Sequence, residues 1–252
     1  MKSSKYIIGA LASLLIISMC KKDHNELTKE MLSGKWQVTG STVYQSFEFN
    51  KSGNYIIIMN TSGKGEEVVF GDYEINNETV NLYDFGRLED VKIEGDKLNA
   101  VVIDDAKPGQ QEEIASTKTS EYENTTRTDL LCRTWRIISW NDQTTNPYDA
   151  DEILFSQAGT YLVTYSEGLT GLSTWQWKDS EETTLCYSWE GNPTCDGTNE
   201  VEITDLTSTT CSIIEDGNVF KLEPSNSSKT SIIIPQKNLV KSRNFLGASK
   251  GE

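Results

Sequence analysis

The 252-residue sequence predicts an all-β chain: two tandem small antiparallel meander β-barrels of about seven to nine short strands each. Three observations carry this. Apolar residues recur at alternate positions in short runs, the period of a strand that buries one face. Turn-forming residues separate the runs, and only Glu26 to Leu32, ahead of the first strand, reads as a short helix. The pattern also occurs twice. Leu32-Ser33-Gly34-Lys35-Trp36-Gln37-Val38 returns as Leu131-Cys132-Arg133-Thr134-Trp135-Arg136-Ile137, and Phe49-Asn50-Lys51-Ser52-Gly53-Asn54-Tyr55 as Phe155-Ser156-Gln157-Ala158-Gly159-Thr160-Tyr161, at offsets of 99 and 106 residues. A period near 100 residues is too long for a solenoid unit and suits a duplicated small domain.

In the first copy the odd positions of Val43 to Phe49, Gln45 apart, are apolar, and Asn50-Lys51-Ser52-Gly53-Asn54 closes a hairpin. Tyr55 to Met59, Val68 to Ile75, Thr79 to Tyr83, Leu88 to Ile93 and Lys97 to Ile103 read as the next strands, with Gln110 to Ser116 as the last. The turns Asn76-Asn77-Glu78 and Glu94-Gly95-Asp96 stand between them. The second copy repeats the rhythm from Arg133 to Trp140 through Val219 to Glu223, with Thr230 to Ile234 expected as its final strand. Tyr73 corresponds to Trp175, Leu82 to Leu185 and Ile93 to Ile203. Two insertions mark this copy, one around Asn141 to Asp149 and one between Leu185 and Ile203. So many short strands in about 100 residues must close on themselves or stack as two sheets, because open edges invite aggregation; closure is the expectation.

Cysteine placement adds a constraint. Apart from Cys20, the cysteines are Cys132, Cys186, Cys195 and Cys211, all in the second copy. An even number in an exported chain favours disulfides, with three connectivities open; proximity suggests Cys186 with Cys195 and leaves Cys132 with Cys211. The spacing lacks any CxxC pair, and the only histidine is His24, so no metal site and no cofactor is expected. The same histidine count removes Ser-His and Cys-His nucleophiles from the repeats, and no catalytic residue is assigned. A pair of carboxylates is the hydrolytic arrangement left open.

The N-terminus reads as an export signal: Lys2 and Lys5, an apolar run of fourteen residues from Tyr6 to Met19, then Cys20 and an abrupt polar stretch. A spanning helix needs roughly 20 apolar residues, so the run is short for one. Ile17-Ser18-Met19-Cys20 resembles the lipobox of bacterial lipoproteins, although Met19 stands where that motif has a small residue. The resemblance implies Cys20 as the acylated mature N-terminus in the outer membrane of the cell envelope. Several acyl chains, at about 0.8 kcal/mol per buried CH₂, hold such an anchor stably. The net charge of −15 includes Lys2 and Lys5, so loss of those two positive charges takes the mature chain to −17. That excess argues against nucleic acid as a partner.

Gly34-Lys35-Trp36 at the head of the first strand, followed by Phe49 and Gly53-Asn54-Tyr55, resembles the lipocalin-like domains of lipoproteins from Bacteroidetes-type bacteria. The second copy has Arg133 in place of the glycine and rests on Trp135, Phe155, Gly159 and Tyr161. The resemblance implies that Trp36 and Trp135 plug one end of each barrel. The expected organisation is a signal peptide over residues 1–19, a lipidated tether over 20–27, β domains over 28–117 and 128–235 joined by a linker over 118–127, and a basic tail over 236–252.

Five of the six tryptophans lie in the second copy. Trp175 and Trp177 share one face of a strand by parity, as do Tyr187 and Trp189 on the next. These four are the candidate ligand-binding residues, for sugar rings or a small apolar molecule; the competing reading makes them the core of a small β domain. The leading functional expectation is thus a membrane-tethered, non-catalytic binding module. The alternative is an interaction protein whose filled barrels dock an envelope partner. The tail, with Lys237, Lys241, Arg243 and Lys250, either packs Leu239, Val240, Phe245 and Leu246 on the second domain or stays loose.

Overall fold

The computed structural model describes residues 26–61, 65–120, 125–144, 150–165, 170–225, 232–235, 239–240 and 244–246. The signal segment, Cys20, and Leu239 and Val240 as packing side chains fall outside what is described. No helix among the described residues is long and apolar enough to cross a membrane.

Each repeat is a closed, eight-stranded antiparallel barrel. A short helix α1 (Lys29–Leu32) leads into β1 (Gly34–Thr39), β2 (Tyr44–Phe49), β3 (Asn54–Thr61), β4 (Gly65–Asn76), β5 (Thr79–Leu82), β6 (Gly86–Glu94), β7 (Lys97–Asp104) and β8 (Gln111–Ser120). Successive strands pair as a meander, and β1 pairs with β8 to close the ring. The second repeat opens with α2 (Thr126–Leu131) and runs through β9 (Thr134–Trp140), β10 (Ala150–Phe155), β11 (Thr160–Tyr165), β12 (Thr170–Trp177), β13 (Thr184–Ser188), β14 (Glu200–Thr204), β15 (Cys211–Glu215) and β16 (Asn218–Pro224), with β9 closing on β16. α2 stands where the sequence predicts the end of the linker and the start of the second domain, without a helix. Its one turn is set by capping, since the Thr125 side chain accepts from the Thr128 amide as the Thr28 side chain accepts from Met31 at α1.

Both predicted barrel plugs are fully buried. The Trp36 Nε1–H donates to the Leu32 carbonyl at 2.7 Å, and the Trp135 Nε1–H to the Leu131 carbonyl at 2.8 Å. Each indole thereby caps the last turn of the helix that covers its barrel end, using a carbonyl the helix cannot satisfy itself. Where the second copy lacks the glycine, the Arg133 guanidinium lies over the Trp135 ring, 5.5 Å from its centroid.

Two boundaries move. The strand expected to end at Ser116 continues to Ser120, because β1 supplies partners as far as Lys35. The strand expected over Thr230 to Ile234 as the end of the second domain is instead β17 (Ile232–Pro235), and it pairs with β4 of the first barrel, Ile232 opposite Phe70. A further pair of residues, β18 (Leu239–Val240), runs parallel to β12. β4 and β12 are equivalent strands, so the chain after β16 covers the same projecting edge in both barrels.

The barrels pack through equivalent outer faces. Ile56, Val68 and Phe70 of the first form one buried cluster with Leu154 and Leu162 of the second, with Leu172 packed half-buried against it, and by repeat position Ile56 matches Leu162 and Phe70 matches Leu172. Beside the cluster the two matching hairpin turns interlock. Asn50 Nδ2 donates to the Phe155 carbonyl at 2.6 Å, and its Oδ1 accepts from the Gln157 amide at 2.9 Å; Gln157 Oε1 in turn accepts from the Lys51 amide at 3.1 Å. Glu48, buried in the same seam, accepts from the Thr160 hydroxyl and pairs with Lys35, both at 2.9 Å.

Cys186 and Cys195 form a disulfide that ties β13 to the inserted loop, as proximity suggested. Cys132 and Cys211 are not joined: both are free, buried thiols, which corrects the second proposed pair. Burial pushes the Cys211 thiol up to about 12 and that of Cys132 well above its ordinary range, so both remain protonated parts of the core.

Two outcomes follow from this packing. Truncating Leu162 to Ala should cost roughly 2–5 kcal/mol by opening a cavity between the barrels; calorimetry should show one unfolding transition split into two. Replacing Cys186 and Cys195 together by Ala should lower the unfolding free energy by about 2.5–3 kcal/mol, as expected for a closed loop of roughly ten residues, measured by urea titration.

Candidate functional site

The four candidate ligand residues do not form one surface. Trp175 is fully buried near the helix-covered end, where its Nε1–H donates to the Ser156 carbonyl at 3.0 Å and its ring stands edge-on to Phe155. Its counterpart Tyr73 does the same work, donating its hydroxyl to the Asn50 carbonyl at 2.8 Å and standing edge-on to Phe49. Trp177 meets Trp175 edge-on and donates from Nε1 to the Thr128 hydroxyl of α2 at 2.9 Å. Trp175 therefore belongs to the core of the closed end, and Trp177 packs half-buried against it.

Tyr187 and Trp189 line a cup at the other end, and the cup is occupied by the chain's own tail. Phe245 and Leu246 are fully buried. The Phe245 ring lies 4.7 Å from that of Tyr161, 5.2 Å from Tyr187 and 5.9 Å from Phe155, centroid to centroid. Three successive tail carbonyls each accept from a ring donor: Asn244 from Trp189 Nε1 at 3.1 Å, Phe245 from the Tyr161 hydroxyl at 3.3 Å and Leu246 from the Tyr165 hydroxyl at 3.0 Å. The Phe245 amide donates to Glu215 Oε1 at 2.8 Å, and the Tyr187 hydroxyl donates to the same oxygen at 2.8 Å. The cup thus holds a turn of main chain as well as a ring, since Asn244 stands in a bend and Phe245-Leu246 in a turn.

A comparison of the two copies explains the space. Position for position, Phe47 of β2 matches Ile153 of β10. In the first barrel the Phe47 ring stacks on Phe49 at 6.4 Å; in the second, Phe245 stacks on Phe155, the match of Phe49, at 5.9 Å. The tail ring takes the place of the ring that the repeat lacks. Gly171 of β12 makes room for the wall itself, since a Cβ there would stand 2.5 Å from the Trp189 ring.

Burial raises the Glu215 carboxyl above the ordinary glutamate range, and the hydrogen bonds from the Phe245 amide and the Tyr187 hydroxyl draw it partly back. Burial also raises the Tyr161 and Tyr165 hydroxyls, which therefore stay protonated donors at any physiological pH. Sequence reasoning names Tyr187 and Trp189 and leaves Phe245 and Leu246 between packed and loose, where the structure buries both, but it passes over Glu215 and Tyr161. The signal for Glu215 was present: Cys211, Ile213 and Glu215 share a parity, which puts a carboxylate on the inward face.

Elsewhere the surface offers a cleft of about 650 Å³ on the first barrel, lined by Glu26, Asn77, Glu78, Glu89 and Asp90 among others. No group of three or more His, Cys, Asp or Glu residues among those described converges on a position that would hold a metal ion. No protein-family model matches the chain, and no curated protein matches it.

Glu215 gives the site a pH signature. Its folded-state pKa lies above the unfolded one, so the stabilisation it contributes is present below the ordinary glutamate pKa and lost as pH rises through the folded value. Glu215→Gln keeps an acceptor oxygen without the charge. The variant should gain stability over the natural chain as pH rises above the ordinary glutamate range, read as a difference in Tm that widens with pH.

Proposed function

We propose that this is a lipid-anchored, non-catalytic docking protein of the bacterial cell envelope, held to the outer membrane by acyl chains on Cys20 and presenting two solid barrels to a protein partner. The observation that carries the reading is the crowding of the chain's own rings inside each barrel. The first barrel encloses Trp36, Phe47, Phe49, Tyr55 and Tyr73, all buried, and the second encloses its own rings together with Phe245 and Leu246. Where the sequence placed the ligand residues Tyr187 and Trp189, the described residues put Phe245 and Leu246. The acidic balance of −15 and the apolar run ending at Ile17-Ser18-Met19-Cys20 support an exported, membrane-tethered chain that avoids nucleic acid.

A second reading, capture of a small apolar molecule or glycan without chemistry, draws on Tyr187 and Trp189. It requires Phe245 to leave the ring stack, because those residues now hold the tail.

The anchor is tested by Cys20→Ser. The variant should lose incorporation of labelled palmitate and move from the membrane to the soluble fraction of the producing cell; retention in the membrane would refute the anchor. The docking reading expects unchanged tryptophan emission across envelope lipids and oligosaccharides. A saturable change with any one of them would transfer support to the second reading.

A further inference from the structure

The mouth of the second barrel has the attributes of a peptide site with its ligand already in place. Three ring donors, Trp189, Tyr161 and Tyr165, take three consecutive carbonyls, Glu215 takes an amide, and a ring pocket takes the aromatic side chain between them. Main-chain capture of this kind does not depend on how the segment is connected to the rest of the chain. The segment that fills the cup is short, and β16, the last strand of the ring, ends at Pro224, well before Asn244.

We propose that this cup is a binding site for a turn-forming segment of a partner protein, carrying an aromatic residue followed by a branched apolar one, and that residues 244–246 are its built-in competitor. The proposal deepens the docking reading by naming what is docked, yet it stands on the cup alone and does not use the lipid anchor. A second copy of the chain is the poorer occupant on physical grounds. Its tail is identical and gains nothing in contacts, while the resident tail has the advantage of being intramolecular. Only a segment that fits better than Asn244-Phe245-Leu246 displaces it, which gives the site selectivity as well as a threshold.

The test uses the full chain with Phe245→Ala, which weakens the competitor and leaves the cup. The probe is a fluorophore-labelled decapeptide with the sequence of residues 241–250, and the readout is anisotropy. The variant should bind it at least tenfold more tightly than the natural chain, and the same peptide with alanine in place of phenylalanine should not bind. Adding Glu215→Ala to the variant should weaken binding at least tenfold. A folded Phe245→Ala chain that ignores the peptide overturns the proposal, as do tail-exchanged dimers of the natural chain at micromolar concentration. Should the variant fail to fold, native-state hydrogen exchange on the natural chain decides: the Phe245 amide should open well below the free energy of global unfolding, and protection equal to the global value overturns the exchangeable tail.

Discussion

The structure depends on strands that are apolar on both faces. In β3, β4, β10 and β11 the inward residues fill a barrel while Ile56, Val68, Phe70, Leu154 and Leu162 point outward, into the seam between barrels. A barrel carrying such an outer face alone would expose a contiguous apolar patch, and the duplicated partner removes it from water. The cost of ordering the turns is offset by the same contact, since Asn50 and Gln157 satisfy main-chain groups of the facing copy. Glu48 is the exception in the seam. Its Oε1 is paired with Lys35 and Thr160, while Oε2 has no hydrogen-bond partner among the described residues, so the ion pair is what holds the buried carboxylate.

Within each barrel the two ends are solved differently. The closed end is the same in both copies: a one-turn helix, an indole donating to its last carbonyl, and an aromatic of the fourth strand, Tyr73 or Trp175, tied to the turn that follows Phe49 or Phe155. The open ends diverge. In the first, Tyr44 and Phe47 bring their own rings, with Tyr44 edge-on to Phe85. In the second, Ile153 replaces the phenylalanine and a segment from far along the chain supplies the ring. Duplication with one such loss converts an internal packing requirement into a demand that a separate stretch of chain must meet.

Much of this was legible before any coordinates. Alternation and turn residues located the strands, the repeat located the two barrels, and the leucine-tryptophan spacing located the closed ends. The interface was written less plainly. Tyr55 to Met59 and Tyr161 to Val163 are apolar without alternation, the signature of a strand buried on both faces, but the same residues satisfy a simple inward-outward reading as well. The destination of β17 was not legible, because Ile232 to Ile234 is a good strand for either barrel and only the projecting edge of β4 decides between them. The pairing of Cys132 with Cys211 failed for a related reason: even numbers constrain pairing only where the folded backbone brings thiols together, and here each is buried in the core as a small apolar group.

Charge adds the last step. The chain carries a net −15, yet beyond Gln236 its charged residues are Lys237, Lys241, Arg243 and Lys250 against Glu252 alone. An acidic body draws a basic segment toward it, and the attraction acts before any ring is seated. At the cup the sign persists, because Glu215 faces the arriving amide. If the tail leaves, that carboxylate regains water and its ionised form is favoured, which lowers the cost of the open state and turns the emptied mouth into an aromatic bowl with one anionic post. A competitor that closes it again needs a ring for the Ile153 gap, a free amide for Glu215, and flanking positive charge to be drawn in; the resident segment carries all three.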